Sequence, residues 1–150
     1  MKIAIGNDHA GVDLKNAVME HLEEAGYTID DFGTQSTQRT HYPLFAEKVA
    51  GKVTSGEYDC GILICGTGVG VSIAANKFKG IRAAAVADAT AARLVKQHNN
   101  ANIICFGARI VGEELAYDIV DAYLGHEFEG GRHQERIDLI TSIEEKGTCQ

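Results

Sequence analysis

The six residues from Cys60 to Cys65, CGILIC, carry no charged side chain and run directly into Gly66-Thr67-Gly68-Val69-Gly70. An apolar run of that length fits a strand buried on both faces, the condition of a strand inside a parallel sheet. A glycine-rich turn that then opens a helix fits the strand-to-helix junction of such sheets. This segment constrains the architecture more tightly than any bulk property.

The rest of the chain repeats the alternation. A first strand covers residues 2–5. A helix over 12–25 sets Leu14, Val18, Leu22 and Ala25 on one face, and Gly26 stops it. A second strand spans 27–32, and a helix over 42–54 follows, with Phe45, Val49 and Val53 on one stripe. After the glycine-rich turn come a helix over roughly 70–78, a strand over 81–87 and a helix over 89–98. A last strand over 102–106 and a helix over 113–124 complete the βα alternation. The closing segment carries Ile137, Ile140 and Ile143 and reads as a C-terminal helix that packs on a partner subunit. The expected fold is therefore α/β: a Rossmann-like three-layer sandwich, with a five-stranded parallel sheet and helices on both faces. At 150 residues, with no linker or repeat, the chain is expected to be one domain over 1–150.

Charge and composition exclude several functions. A net charge of -7 opposes a sequence-independent grip on nucleic acid, which needs surplus Lys and Arg against phosphate. No apolar stretch approaches the ~20 residues that span a bilayer. The apolar run at the N-terminus is too short for a signal-peptide core. Cys60, Cys65, Cys105 and Cys149 show no C-x-x-C spacing, so free thiols in a reducing cytoplasm are expected. Cys60 and Cys105, inside strands, read as structural, and Cys149 as part of a loose tail.

In parallel sheets ligands bind beyond the carboxyl ends of the strands, which nominates the loops at 6–11, 33–42, 65–72 and 107–112. In the third of these, alternate glycines let backbone N–H groups face one concavity, and a helix N-terminus adds partial positive charge. An oxyanion suits that place; Thr67 and Ser72 add hydroxyls. Familiar nucleotide loops do not fit. A Walker A loop needs Gly-Lys-Ser/Thr where Gly70-Val71-Ser72 stands. The dinucleotide fingerprint follows the first strand with a different glycine spacing. A cysteine phosphatase needs an arginine where Val71 stands. Cys65, at the strand end before these amides, is placed where a helix N-terminus favours the thiolate.

Other candidates surround it. Asp8 either caps the first helix or, with His9, exchanges protons with a ligand. His98 ends the fourth helix, where a capping or core histidine is the plainer reading. Arg132 and Arg136, four apart, project from one helical face and suit an anion clamp, the alternative being a surface pair with Glu135. Arg109 is a third cation.

The stretches IGNDHAG, DFGT, GILICGTGVGVSIAANKFKGIRAA, QHNNANI, FGARIVG and EGGRHQERI resemble the ribose-5-phosphate isomerase B family, which also contains galactose-6-phosphate isomerase subunits and allose-6-phosphate isomerase. The likeness runs from residue 2 to about residue 145. It implies an aldose–ketose isomerase of the pentose phosphate pathway that needs no cofactor and no metal. It implies a homodimer or dimer of dimers with sites at the subunit interface. By the same resemblance Cys65 is the base that moves a proton between C2 and C1 through a cis-enediol. Thr67 and the amides of Gly66, Gly68, Val69 and Gly70 would stabilise the enediolate oxygen. Asp8 and His98 would open the furanose ring, Tyr42 and Asn99 would line the sugar site, and His9, Arg109, Arg132 and Arg136 would hold the phosphate. Alternatives are a six-carbon sugar phosphate (allose or galactose 6-phosphate) as substrate, or a non-catalytic phosphosugar-binding subunit.

Overall fold

The computed structural model describes residues 1–147; the loose tail expected at Cys149 lies outside them. Five strands, β1 (Lys2–Asn7), β2 (Thr28–Asp31), β3 (Cys60–Cys65), β4 (Ala83–Ala85) and β5 (Ile103–Gly107), form one sheet in the order β2-β1-β3-β5-β4. Every pairing is parallel. Between and after them run α1 (Val12–Glu24), α2 (Tyr42–Thr54), α3 (Val69–Ala75), α4 (Ala89–Asn99), α5 (Glu113–Leu124) and α6 (Arg132–Gly147).

Hydrophobic side chains alternate off the two faces of the sheet and meet the helices there. On one face Ile3, Ile5, Ile62, Ile64, Ile104 and Phe106 pack with residues of α1, α4 and α5. On the other, Ala4, Leu63, Ile103 and Cys105 pack with Val49 of α2 and Val71 of α3. β3 is buried at all six positions, as its composition requires of a central strand.

β4 departs from the expected 81–87 strand. It keeps three residues because it is an edge strand, paired on one side by β5. Ile81 and Val86 are buried but lie outside the ladder. The free edge is met by a side chain: Asn76 Nδ2 donates to Ala83 O at 2.8 Å, and Ala83 N–H donates to Asn76 Oδ1 at 2.8 Å. The amide thus imitates a neighbouring strand for one residue.

Candidate active site

The sheet order brings the nominated loops together at the carboxyl edge. Cys65, the last residue of β3, pairs with Gly107 at the end of β5. The turn after Cys65 then folds against the turn after β5: Ala108 N–H donates to Cys65 O at 2.8 Å, and Arg109 N–H to Gly66 O at 3.1 Å. The approach is close. A Cβ on Gly107 would lie 2.5 Å from Thr67 Cα, and one on Gly66 would meet Arg109 Nη1 at 3.2 Å. So the guanidinium of Arg109 lies over the glycine turn, as a cation at this edge should.

Gly68 caps α3 at φ +78°, a left-handed backbone that glycine adopts freely. This conformation turns its N–H onto Cys65 Sγ at 3.2 Å. Cys65 is 4% exposed, so its sulfur sits under the turn with a donor aimed at it. Val69 N–H is bound by Thr67 Oγ1 at 3.3 Å. Helix geometry leaves the remaining N–H groups of the first turn without intrahelical acceptors. Gly70 faces Tyr42, whose ring would be 2.8 Å from a Cβ there. Ser72 does not join the loop as expected. It is buried, and its hydroxyl donates to Val69 O at 2.8 Å inside the helix.

The first loop closes on the second. Asp8 Oδ1 accepts Ala10 N–H at 2.9 Å and caps the short 3-10 turn His9–Gly11 that precedes α1, so the capping reading holds locally. His9 is clasped by Thr40: its N–H donates to Thr40 Oγ1 at 3.1 Å, and Thr40 N–H donates to His9 Nδ1 at 3.3 Å. That second bond makes Nδ1 the acceptor and leaves Nε2 to carry the proton.

Sequence reasoning missed the support for this loop. Lys15 is fully buried, its ammonium 2.6 Å from Asp31 Oδ2 and 3.2 Å from Thr34 O. Asp31 Oδ1 also takes Gly33 N–H at 2.8 Å. A lysine in register with Val18 and Leu22 on an apolar stripe, with an acid ending the next strand, is the signal that could have found it.

The remaining candidates lie elsewhere. α4 returns antiparallel to the strands, so its C-terminus reaches the amino edge. There Arg82 Nε donates to Asn99 O at 3.1 Å and to Asn100 O at 3.0 Å, and Gly61 N–H donates to Asn102 O at 2.9 Å. Gly61 is four residues before Cys65 in β3, a rise of roughly 13 Å. His98 and Asn99 therefore sit at the sheet edge opposite Cys65. Arg132, His133 and Arg136 join them: the His98 and His133 rings stack with centroids 4.3 Å apart. Arg132 and Arg136 are exposed at the start of α6, and the alternative surface pair with Glu135 does not form among the described residues. His133, which sequence reasoning left out, is buried, and this holds its imidazole below its ordinary pKa, helped by His98 and Arg132.

The candidates thus fall into two groups at opposite edges of the sheet. Asp8, His9, Tyr42, Cys65, the 66–70 turn and Arg109 are at one edge, and His98, Asn99, Arg132 and Arg136 at the other. A parallel α/β sheet with a donor-capped thiol and an anion-ready turn beyond its carboxyl edge has the layout of a small-molecule enzyme. Residues 3–140 match the family described as Ribose/Galactose Isomerase, and the chain belongs to it. It is 55% identical over 145 residues to ribose-5-phosphate isomerase B of Escherichia coli, covering 97% of each chain. The solved ribose-5-phosphate isomerase B of Clostridium thermocellum superposes with a TM-score of 0.96 at 52% identity, over 97% of this chain and 99% of that one. That of Mycoplasma genitalium, solved with bound ribulose-5-phosphate, superposes with a TM-score of 0.91 at 46% identity, over 96% of both. The chain is accordingly an enzyme of the isomerase class. Among the described residues no helix is long and apolar enough to cross a membrane.

Proposed function

We propose that this enzyme interconverts ribose 5-phosphate and ribulose 5-phosphate, with Cys65 as the proton-transfer base and no cofactor, in the cytoplasm. The observation that carries the reading is the Gly68 N–H on Cys65 Sγ at 3.2 Å, at the mouth of the glycine turn and beneath Arg109. A sulfur that accepts such a bond gains most from it as thiolate, the form able to take a proton from C2. As the proton leaves, charge grows on the adjoining oxygen. Thr67 and the first-turn amides of α3 stand beside it, and a preorganised donor at an oxyanion contributes about 3–4 kcal/mol.

The reaction also needs ring opening and a hold on the phosphate. Asp8 and His98 suit the first task; His9, Arg109, Arg132 and Arg136 suit the second. A non-reacting phosphate supplies remote binding energy that aligns C1 and C2. These groups occupy opposite edges of one subunit, so we assign each active site to two copies. One gives Cys65, Thr67, Asp8, His9 and Tyr42, and the other gives His98, Asn99, Arg132 and Arg136. A homodimer with a two-fold axis makes two such sites. Exposed apolar side chains near both half-sites support it: Val69 and Ile73 on α3, and Ile140 and Ile143 on α6, are each 47–69% exposed.

Conversion of ribose 5-phosphate by the purified protein without added metal tests the reading. Alkylation should abolish turnover and substrate should protect against it. Cys65→Ala should bind sugar phosphate but lose about 10²–10⁴ in kcat. Wild-type turnover in that variant removes Cys65 from the chemistry. Turnover of allose or galactose 6-phosphate in place of the pentose would move the substrate to six carbons.

A further inference from the structure

His98, Glu129 and His133 meet at the amino edge of the sheet. Glu129 Oε2 is 3.6 Å from His133 Nε2 and 3.9 Å from His98 Nε2, too far for hydrogen bonds. The two imidazoles lie nearly parallel, with 6° between their planes. His133 is 5% exposed, and neither of its ring nitrogens has a hydrogen-bond partner among the described residues. A buried imidazole normally satisfies at least one nitrogen. These three side chains converge without bonding to one another.

We propose that His98, Glu129 and His133 form a binding site for a divalent transition ion of the zinc type, which is an inhibitor and not a cofactor. Two imidazoles and a carboxylate are a donor set for Zn²⁺ and its neighbours. One ligand atom from each residue lies within 4.8 Å of the others. Around a tetrahedral ion, with bonds of ~2.0–2.1 Å, ligand atoms stand about 3.4 Å apart. The carboxylate is already close to that spacing from both rings; the rings need to fan apart so that their lone pairs converge. The chain supports the placement. Glu129 N–H donates to Gln97 O at 3.0 Å, which fixes the carboxylate beside the end of α4. Gly130 and Gly131, both at positive φ (66° and 56°), turn the chain so that His133 enters under His98. The guanidiniums of Arg132 and Arg136 oppose a cation, so the ion should yield to excess chelator.

The consequence rests on the isomerase reading: an ion here takes His98 out of ring opening and crowds the phosphate clamp. The binding itself does not rest on it, and can be read without turnover. Co²⁺ titrated into the intact protein should give visible d–d absorption at one ion per chain, displaced by Zn²⁺. Glu129→Gln and His133→Gln, checked by circular dichroism for folding, should each weaken binding at least tenfold. Cys65→Ser should bind as before. Zn²⁺ should then slow turnover, with sugar phosphate competing. The proposal is overturned if no Co²⁺ binds to the wild type. It is equally overturned if the spectrum carries a thiolate charge-transfer band that Cys65→Ser removes, or if Glu129→Gln binds as the wild type does. A protein that binds Co²⁺ as expected but turns over no sugar phosphate would keep this site and sink the isomerase reading.

Discussion

Cys60, Cys65 and Cys105 are all buried and lie in two adjacent strands, yet their surroundings divide them. Cys65 Sγ takes the Gly68 N–H, whereas burial pushes the Cys60 thiol up to about 11 and the Cys105 thiol well above its ordinary value, Cys65 adding to the latter. Position at the carboxyl end of a strand, directly before the glycine turn, set Cys65 apart in the sequence from Cys60 and Cys105. The pH consequence has a definite sign. In the unfolded chain a thiol ionises near ~8.5, so from there to about 11 the unfolded state holds fewer protons than the folded state with its Cys60 thiol. The stabilising difference is whole below ~8.5 and is lost as pH rises through that window, by roughly 3 kcal/mol for this thiol. Urea midpoints measured from pH 8 to 11 should fall, and less steeply in Cys60→Ala; equal slopes would refute the account. Gly68 is the other decisive residue. A Cβ there would strike Phe106 Cα at 2.7 Å, with φ at +78°, and the strained backbone alone costs about 1–2 kcal/mol. Gly68→Ala should lower both Tm and turnover, because the turn cannot shift without withdrawing its N–H from Cys65. Wild-type melting and kinetics in this variant would show that the turn has slack the geometry denies.

Local periodicity described some elements closely and others poorly. The predicted helix over 42–54 and strand over 60–65 match α2 and β3 residue for residue. Both carry dense apolar patterning between clear breakers, so burial and propensity agree. β4 shows the opposite case. Apolar residues from Ile81 to Ala87 suggest seven strand positions, but the ladder holds Ala83–Ala85 because one side of that strand has no partner strand. Hydrophobicity records burial: Ile81 and Val86 are both buried outside the three-residue ladder, although Val86 N–H still donates to Cys105 O at 2.9 Å. Asn76 serves in place of the missing strand. Removing it in Asn76→Ala should cost about 1–2 kcal/mol, the usual weight of two partly solvated hydrogen bonds. Urea denaturation measures this, and an unchanged midpoint would mean that water replaces the amide fully. Lys15 belongs at this scale too. It ties α1 to the segment after β2, and through Thr40 that segment holds His9.

For the whole molecule the main consequence is the separation of the candidate residues to opposite edges of the sheet, from which the proposed two-subunit site follows. Each variant of a Cys65→Ala and His98→Ala pair should be strongly impaired alone. Mixed after joint refolding, the two should recover about a quarter of the wild-type sites, since random pairing makes half the dimers mixed and each mixed dimer rebuilds one complete site. A site built within one subunit would give no recovery, so the activity of the mixture decides between the two arrangements. The sequence by itself determined the α/β class, the buried third strand, the glycine turn and the thiol at its mouth. All of these follow from residue type and spacing over a few neighbours. The tertiary structure alone decided which candidates share a location. β5 inserts between β3 and β4, which lays Arg109 over Gly66, while α4 reverses direction and carries His98 to the far edge. Patterns of burial specify what each segment becomes, but the path of the chain through the sheet sets what it faces.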